Sequence, residues 1–273
     1  MYRQTFGKIC ASLRQDLFEI TKGKSFSQGD LAKTSGLQAK HIGQIERGEK
    51  VHLDMDMIDK LADAFNLTTV ERKRFFLLVN SETYRQKENE AQVAKQVHRE
   101  TLDYMETPQA PVLLHDGLYR ILALNDAYFK VYGLTHNYLN DIPNTDPTKY
   151  HIVRHIHDPE SPVRAVYQSH LEAVGWKNAS YWRYLSLAHR HTPLFQEIQT
   201  LLQSRYVHFA YLWGGLSNPF PKNDMGSLLR PFACDHPHFG RLEYARDHIR
   251  LATQPLEEPQ NIDYPWHLLE SID

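Results

Sequence analysis

Cysteine is scarce in this chain of 273 residues, which carries only Cys10 and Cys234. Two thiols so far apart make neither a disulfide framework nor a cysteine zinc site. Long apolar runs are missing too: no stretch approaches the roughly 18 to 20 uninterrupted apolar residues of a membrane helix. The opening "MYRQTFGKICASLRQDLFEI" is not read as a signal peptide, because Arg14, Asp16 and Glu19 break any apolar core. Catalytic signatures are lacking as well, with no G-x-S-x-G, H-E-x-x-H, P-loop or Rossmann glycine pattern. The expectation is a cytoplasmic protein without membrane contact and without enzymatic activity.

What is present suits packed cores. The chain is 41% hydrophobic, 11% aromatic and 23% charged, and its length fits one large domain or two ordinary ones. The net charge of −2 is unevenly spread, with 13 Lys and Arg against 10 Asp and Glu in residues 1–80 and 18 against 23 beyond. All four tryptophans lie beyond residue 170. A DNA-tolerant head on an aromatic, mildly acidic body is the simplest reading.

The head is most legible in "SQGDLAKTSGLQAKHIGQIERGE". Ser27 reads as an N-cap with Asp30 at N3, starting a short helix to about Thr34 that buries Leu31 and Ala32. Gly36 supplies the positive φ of a tight turn, and Leu37 plugs the space beneath it. A second helix, Gln38 to about Arg47, turns Ile42 and Ile45 inward and ends at Gly48. Gln28, Gln38, Ala39, Lys40, His41 and Gln44 are the candidate DNA-binding residues. Glutamine can read adenine in the major groove, and lysine can take guanine or phosphate. Ile58, Leu61, Ala62 and Phe65 mark a further helix by their spacing. "ERKRFF" reads as a solvated face that touches phosphate at most.

This segment resembles the Cro/CI-type (XRE) helix-turn-helix over about residues 5–79. Ser27, Gln28, Leu31, Ala32, Gly36, Ile42, Ile45, Glu46 and Gly48 fall in that family's register. The resemblance implies that Gln28 clamps a phosphate or base, that Ala39, Lys40 and Gln44 face base edges, and that Arg14 pairs with Glu46. Gln38 and Ala39 depart from the hydroxyl and basic residues common in the family, so the resemblance names no operator sequence.

Residues 81–107 are polar, with no glycine or proline, and read as a helical connector. The body, 108–273, begins with two strands, about 112–115 and 118–124, joined by Asp116-Gly117 as a type I′ turn. A helix capped by Asn125 or Asp126 and closed by Gly133 follows. Helical segments then run to about residue 204, punctuated by Pro159, Pro162, Gly175 and Pro193. "YVHFAYLW", "SLLRPFACDH" and "FGRLEYARDHIRLAT" read as strands. The fold class expected is multidomain: an all-α helix-turn-helix domain over 1–80 plus an α+β, PAS-like sensor domain, an antiparallel sheet with helices on one face.

The body is also similar, over about 108–255, to the ligand-binding domain of MmyB-like transcription regulators. "APVLLHDGLYRILALNDAY", "HIVRHIHDPESPVR", "TPLFQEI" with "FAYLW", and "DHPHFGRLEY" carry the similarity, although Tyr119 stands where that family often has tryptophan and His157 where an aromatic is usual. The resemblance implies a sensor for a small apolar, fatty-acid-like ligand. Ligand pockets are mostly apolar with a few placed polar groups. The lining candidates are Leu124, Phe129, Tyr132, Ile152, Tyr181, Leu185, Phe209, Tyr211 and Trp213, with Arg154 as a partner for a carboxylate. Plain core packing is the alternative for each aromatic, and an ion pair for Arg154.

His151 and His155 share one helix face, and His157 lies close by, so a metal-responsive regulator is one alternative. No cysteine or carboxylate completes a metal motif there, and no metal site is assigned. A protein-interaction body without a small ligand is the other alternative. The preferred reading is a homodimeric regulator on a double-stranded, palindromic operator.

Overall fold

The structure is a computed structural model that describes residues 2–19, 24–50, 52–80, 111–217, 232–236, 240–245 and 267–271. The connector expected over 81–107 lies outside the described residues. Two compact units divide the chain: Met1–Arg85 with Ala179–Ser227, and Gln86–Asn178 with Leu228–Asp273. Residues 179–217, assigned above to the body, therefore group with the helix-turn-helix.

The first unit opens with α1 (Tyr2–Asp16) and a two-stranded ribbon, β1 (Phe18–Glu19) against β2 (Lys24–Ser25). Then come α2 (Gln28–Ser35), α3 (Ala39–Glu46), α4 (Met55–Ala64) and α5 (Thr69–Asn80). Caps set their starts. The Ser27 hydroxyl accepts from the Asp30 N–H, and Asp54 accepts from the Met57 N–H. Ile58, Leu61, Ala62 and Phe65 are all buried, and they join Phe6, Ile9, Leu31, Ile42 and Ile45 in one apolar core. At 25–30 cal/mol per Å² of apolar surface, that burial rather than helix propensity holds such short helices together.

The second unit opens with a hairpin, β3 (Leu113–His115) against β4 (Ile121–Leu124). Helices α6 (Asp126–Tyr132), α7 (His136–Asp141), α8 (Ile152–His157) and α9 (Pro162–Val166) follow. Asn125 is the N-cap of α6, accepting from the Tyr128 N–H at 3.0 Å and the Val112 N–H at 2.9 Å, which fixes the hairpin's base to the helix. The helix α10 (Leu171–Ser186) contributes its residues up to Asn178 here and the later ones to the first unit, followed there by α11 (Pro193–Arg205) and α12 (Val207–Ser217). Strands β5 (Phe232–His236), β6 (Gly240–Ala245) and β7 (His267–Ser271) form a three-stranded antiparallel sheet in the order β5-β6-β7. Among the described residues this sheet is separate from the β3–β4 hairpin.

Three local expectations need correction. "YVHFAYLW" is not a strand but the start of α12. Its aromatic and β-branched content imitates strand propensity, yet the buried positions are Tyr206, Phe209, Leu212 and Trp213, a helical stripe. Gly175 does not interrupt the chain, because α10 runs straight through it. The hairpin turn is not an Asp116-Gly117 type I′ turn either: the left-handed residue is Tyr119, at φ 60°. Asp116 reshapes the loop by accepting from the Leu118 and Arg120 N–H groups, each at 2.9 Å. The Tyr119 ring is fully buried, and its hydroxyl donates to Asn178 Oδ1 at 2.6 Å.

Candidate nucleic-acid interface

Helix α3 is set by what lies before and behind it. Gly36, at φ 69°, adopts the left-handed conformation that lets α2 turn sharply into α3. Behind α3, Gly7 lets α1 pass backbone to backbone: a Cβ at Gly7 would fall 2.4 Å from the Ile45 carbonyl oxygen. Sequence reading missed Gly7, since nothing local marks it.

Glu46 then ties three elements together. Arg14 Nε donates to Glu46 Oε1 at 2.6 Å and Nη2 to Oε2 at 3.0 Å, a bidentate pair. The third nitrogen of the fork, Nη1, donates to the Phe26 carbonyl at 2.6 Å. Both ionic side chains are largely shielded, at 14% and 5% exposure, so the pair fixes geometry more firmly than a surface bridge. Gln28 completes the group by donating Nε2 to Glu46 Oε2 at 2.8 Å. Its amide is therefore oriented within the fold.

The outward face carries the remaining candidates. Gln38, at the N-cap of α3, and Ala39 and Lys40 in its first turn are exposed; His41, Gln44 and Gln28 are half-buried. Four of the six lie on α3, Gln38 is its N-cap and Gln28 opens α2. Arg47 follows α3 and is held by Glu49, Nε to Oε1 at 2.8 Å, a contact that lowers the Glu49 carboxyl below its ordinary range.

The ligand-lining candidates are distributed over both units. Leu124, Phe129, Tyr132, Ile152 and Arg154 fall in the second unit, whereas Tyr181, Leu185, Phe209, Tyr211 and Trp213 fall in the first. Tyr132 and Ile152 are buried, and the Phe129 ring stacks on His136 at 4.9 Å. Arg154 is held within its own unit by Asp146 at 2.9 Å and Asp158 at 3.4 Å. In the first unit Tyr181, Leu185, Phe209 and Trp213 are core, and Tyr211, on the outer face of α12, is 68% exposed.

His151, His155 and His157 are core residues as well. His151 is the N-cap of α8, accepting from the Val153 N–H, and burial pushes its imidazole down to about 3, with His155 adding to the effect. Burial likewise lowers His155 to about 4, with Arg154 as the next cause. Among the described residues no group of three or more His, Cys, Asp or Glu is placed to hold a metal ion. No helix among them is long and apolar enough to cross a membrane.

Residues 21–72 match the helix-turn-helix family, a span that holds the whole of α2, α3 and α4 and the start of α5. Among curated proteins none matches the chain. The family match, together with the capped and glycine-turned α2–α3 pair, supports a DNA-binding transcription regulator of the XRE type.

Proposed function

We propose that the chain is a one-component, cytoplasmic transcription regulator that reads an operator with α3 as a homodimer. The observation that carries this is the Arg14–Glu46–Gln28 network, which fixes α3 beneath an outward face of Gln38, Ala39, Lys40 and Gln44. An α-helix of this kind fits the major groove of B-DNA, and two heads on one face of the duplex read half-sites about 34 Å apart. Lys40→Ala and Gln28→Ala should each raise the Kd for a selected operator about tenfold, the worth of one good base or phosphate contact. Fluorescence anisotropy measures this, and circular dichroism checks that the folds are kept. Unchanged affinity in both variants would remove α3 from the groove.

The body, 108–273, which takes in the second unit from residue 108 onward, serves in this proposal as a PAS-like, MmyB-like sensor of a small apolar, fatty-acid-like ligand. Its support is the sequence resemblance together with the apolar side chains of Leu124, Phe129, Tyr132 and Ile152, all within that unit. Such a ligand would bind one conformation better and so shift the regulator's population. Native mass spectrometry of freshly purified protein tests it. A homogeneous mass excess that extracts as an amphiphile supports the sensor, and a bare chain mass speaks for an interaction body.

A further inference from the structure

Residues 179–217 lie outside the span that matches the helix-turn-helix family, yet they share its core. Leu187 is fully buried in the same apolar cluster as Phe6, Ile9 and Ile45. Three polar links reinforce the contact. Arg190, with no exposed surface, pairs through Nη1 with Asp16, the last residue of α1. Its guanidinium also lies over the Phe195 ring at 5.4 Å and the Trp213 ring at 5.3 Å. Gln196 Nε2 donates to the Arg190 carbonyl at 2.8 Å and to Ser12 Oγ at 3.4 Å. Arg183 pairs with Glu71 at 3.2 Å and donates to the Phe65 carbonyl at 2.9 Å.

Buried guanidinium groups tolerate little displacement, because moving one off its partner strands a charge away from water. Arg183 meets α5 and the residue that follows α4, whereas Arg190 and Gln196 meet α1, the helix that also holds α3. Ser12 and Asp16 of α1 meet the α11 side, while Arg14 between them grips Glu46, and Gly7 lies against the backbone of α3. A change in the seat of α1 is thus passed to Glu46 and to the Gln28 amide it orients.

We infer that Arg190, assisted by Gln196, is a positioning residue for DNA recognition that acts through α1 on Arg14, Glu46 and Gln28. The working DNA-binding unit is then 1–80 together with 179–217. This inference rests on the proposed DNA-binding function.

The test uses the full chain and a duplex enriched by the wild type from a random pool. Arg190→Met keeps the stem but removes the charge. It should raise Kd about tenfold at a temperature where circular dichroism shows an intact fold, a loss within the range of coupled networks. Combined with Gln28→Ala, the loss should fall well short of the product of the two single losses, whereas unconnected sites multiply. Arg190→Lys should recover part of the affinity. If Arg190→Met does not fold, Gln196→Ala at an exposed side chain carries the same comparison, with an expected loss of about threefold. An unchanged Kd, or losses that multiply fully, overturns the positioning role. A wild type that enriches no duplex overturns the DNA-binding reading itself.

Discussion

Gly7 illustrates how much of the interface depends on single residues far apart in sequence. Its missing side chain lets the backbones of α1 and α3 touch, and a Cβ would meet the Ile45 and Glu46 carbonyl oxygens at 2.4 and 2.5 Å. Carbonyls of a packed helix have no flexible end to move aside. Gly7→Ala should therefore destabilise the first unit by about 1–3 kcal/mol, as overpacking does, and weaken DNA binding in the fraction that stays folded. A thermal melt beside an anisotropy titration measures both, and a variant that melts and binds like the wild type would contradict the close contact. Ser27, Asp30 and Gly36 were legible in the sequence because their roles are settled within three or four neighbours. The role of Gly7 is settled by a helix 38 residues downstream, so no local pattern announces it.

At the scale of the element, α12 separates two readings of the same residues. As a strand, "YVHFAYLW" would place Phe209, Tyr211 and Trp213 on one face; as a helix, it buries Phe209 and Trp213 and turns Tyr211 out. Phe209→Ala should cost about 3–5 kcal/mol of stability. Tyr211→Ser should stay within about 0.5 kcal/mol, as for other surface changes. Denaturant titrations of both variants check the contrast, and equal costs would contradict the helix.

The helix α8 gives a second prediction at this scale. His151 and His155 are held neutral, with values of about 3 and about 4 against 6.5 for an ordinary imidazole. The unfolded chain takes up protons below about 6.5 while the folded one does not. Their contribution to the second unit's stability is thus complete above about pH 6.5. It is lost progressively as pH falls toward 4 and then 3, at up to about 1.4 kcal/mol per pH unit for each group. Urea midpoints between pH 7 and pH 4 measure this, and His155→Gln should flatten the slope. A slope unchanged by that substitution would show that His155 is not buried as neutral imidazole. Spacing alone placed His151 and His155 on one face, but only tertiary packing decides between metal ligands and core.

Across the whole molecule, short-range pattern gave the helix-turn-helix nearly residue by residue, and long-range pairing stayed hidden. Arg14 and Glu46 were paired through a family resemblance, and the structure places them in bidentate contact. Arg183 with Glu71 and Arg190 with Asp16 join residues separated by more than a hundred positions, and no periodicity links such partners. For the same reason the ten lining candidates, chosen for their apolar character, divide between two units. Composition says that a side chain will be buried; it does not say in which core.

The central claim, that α3 reads duplex DNA, is tested most directly by selecting from a random duplex library with the full chain and sequencing what is retained. The expected result is a palindrome whose half-site centres lie about 10–10.5 base pairs apart, or a multiple of that, and which Lys40→Ala retains less well. A library that passes through unenriched, or one enriched equally by wild type and Lys40→Ala, would contradict the claim.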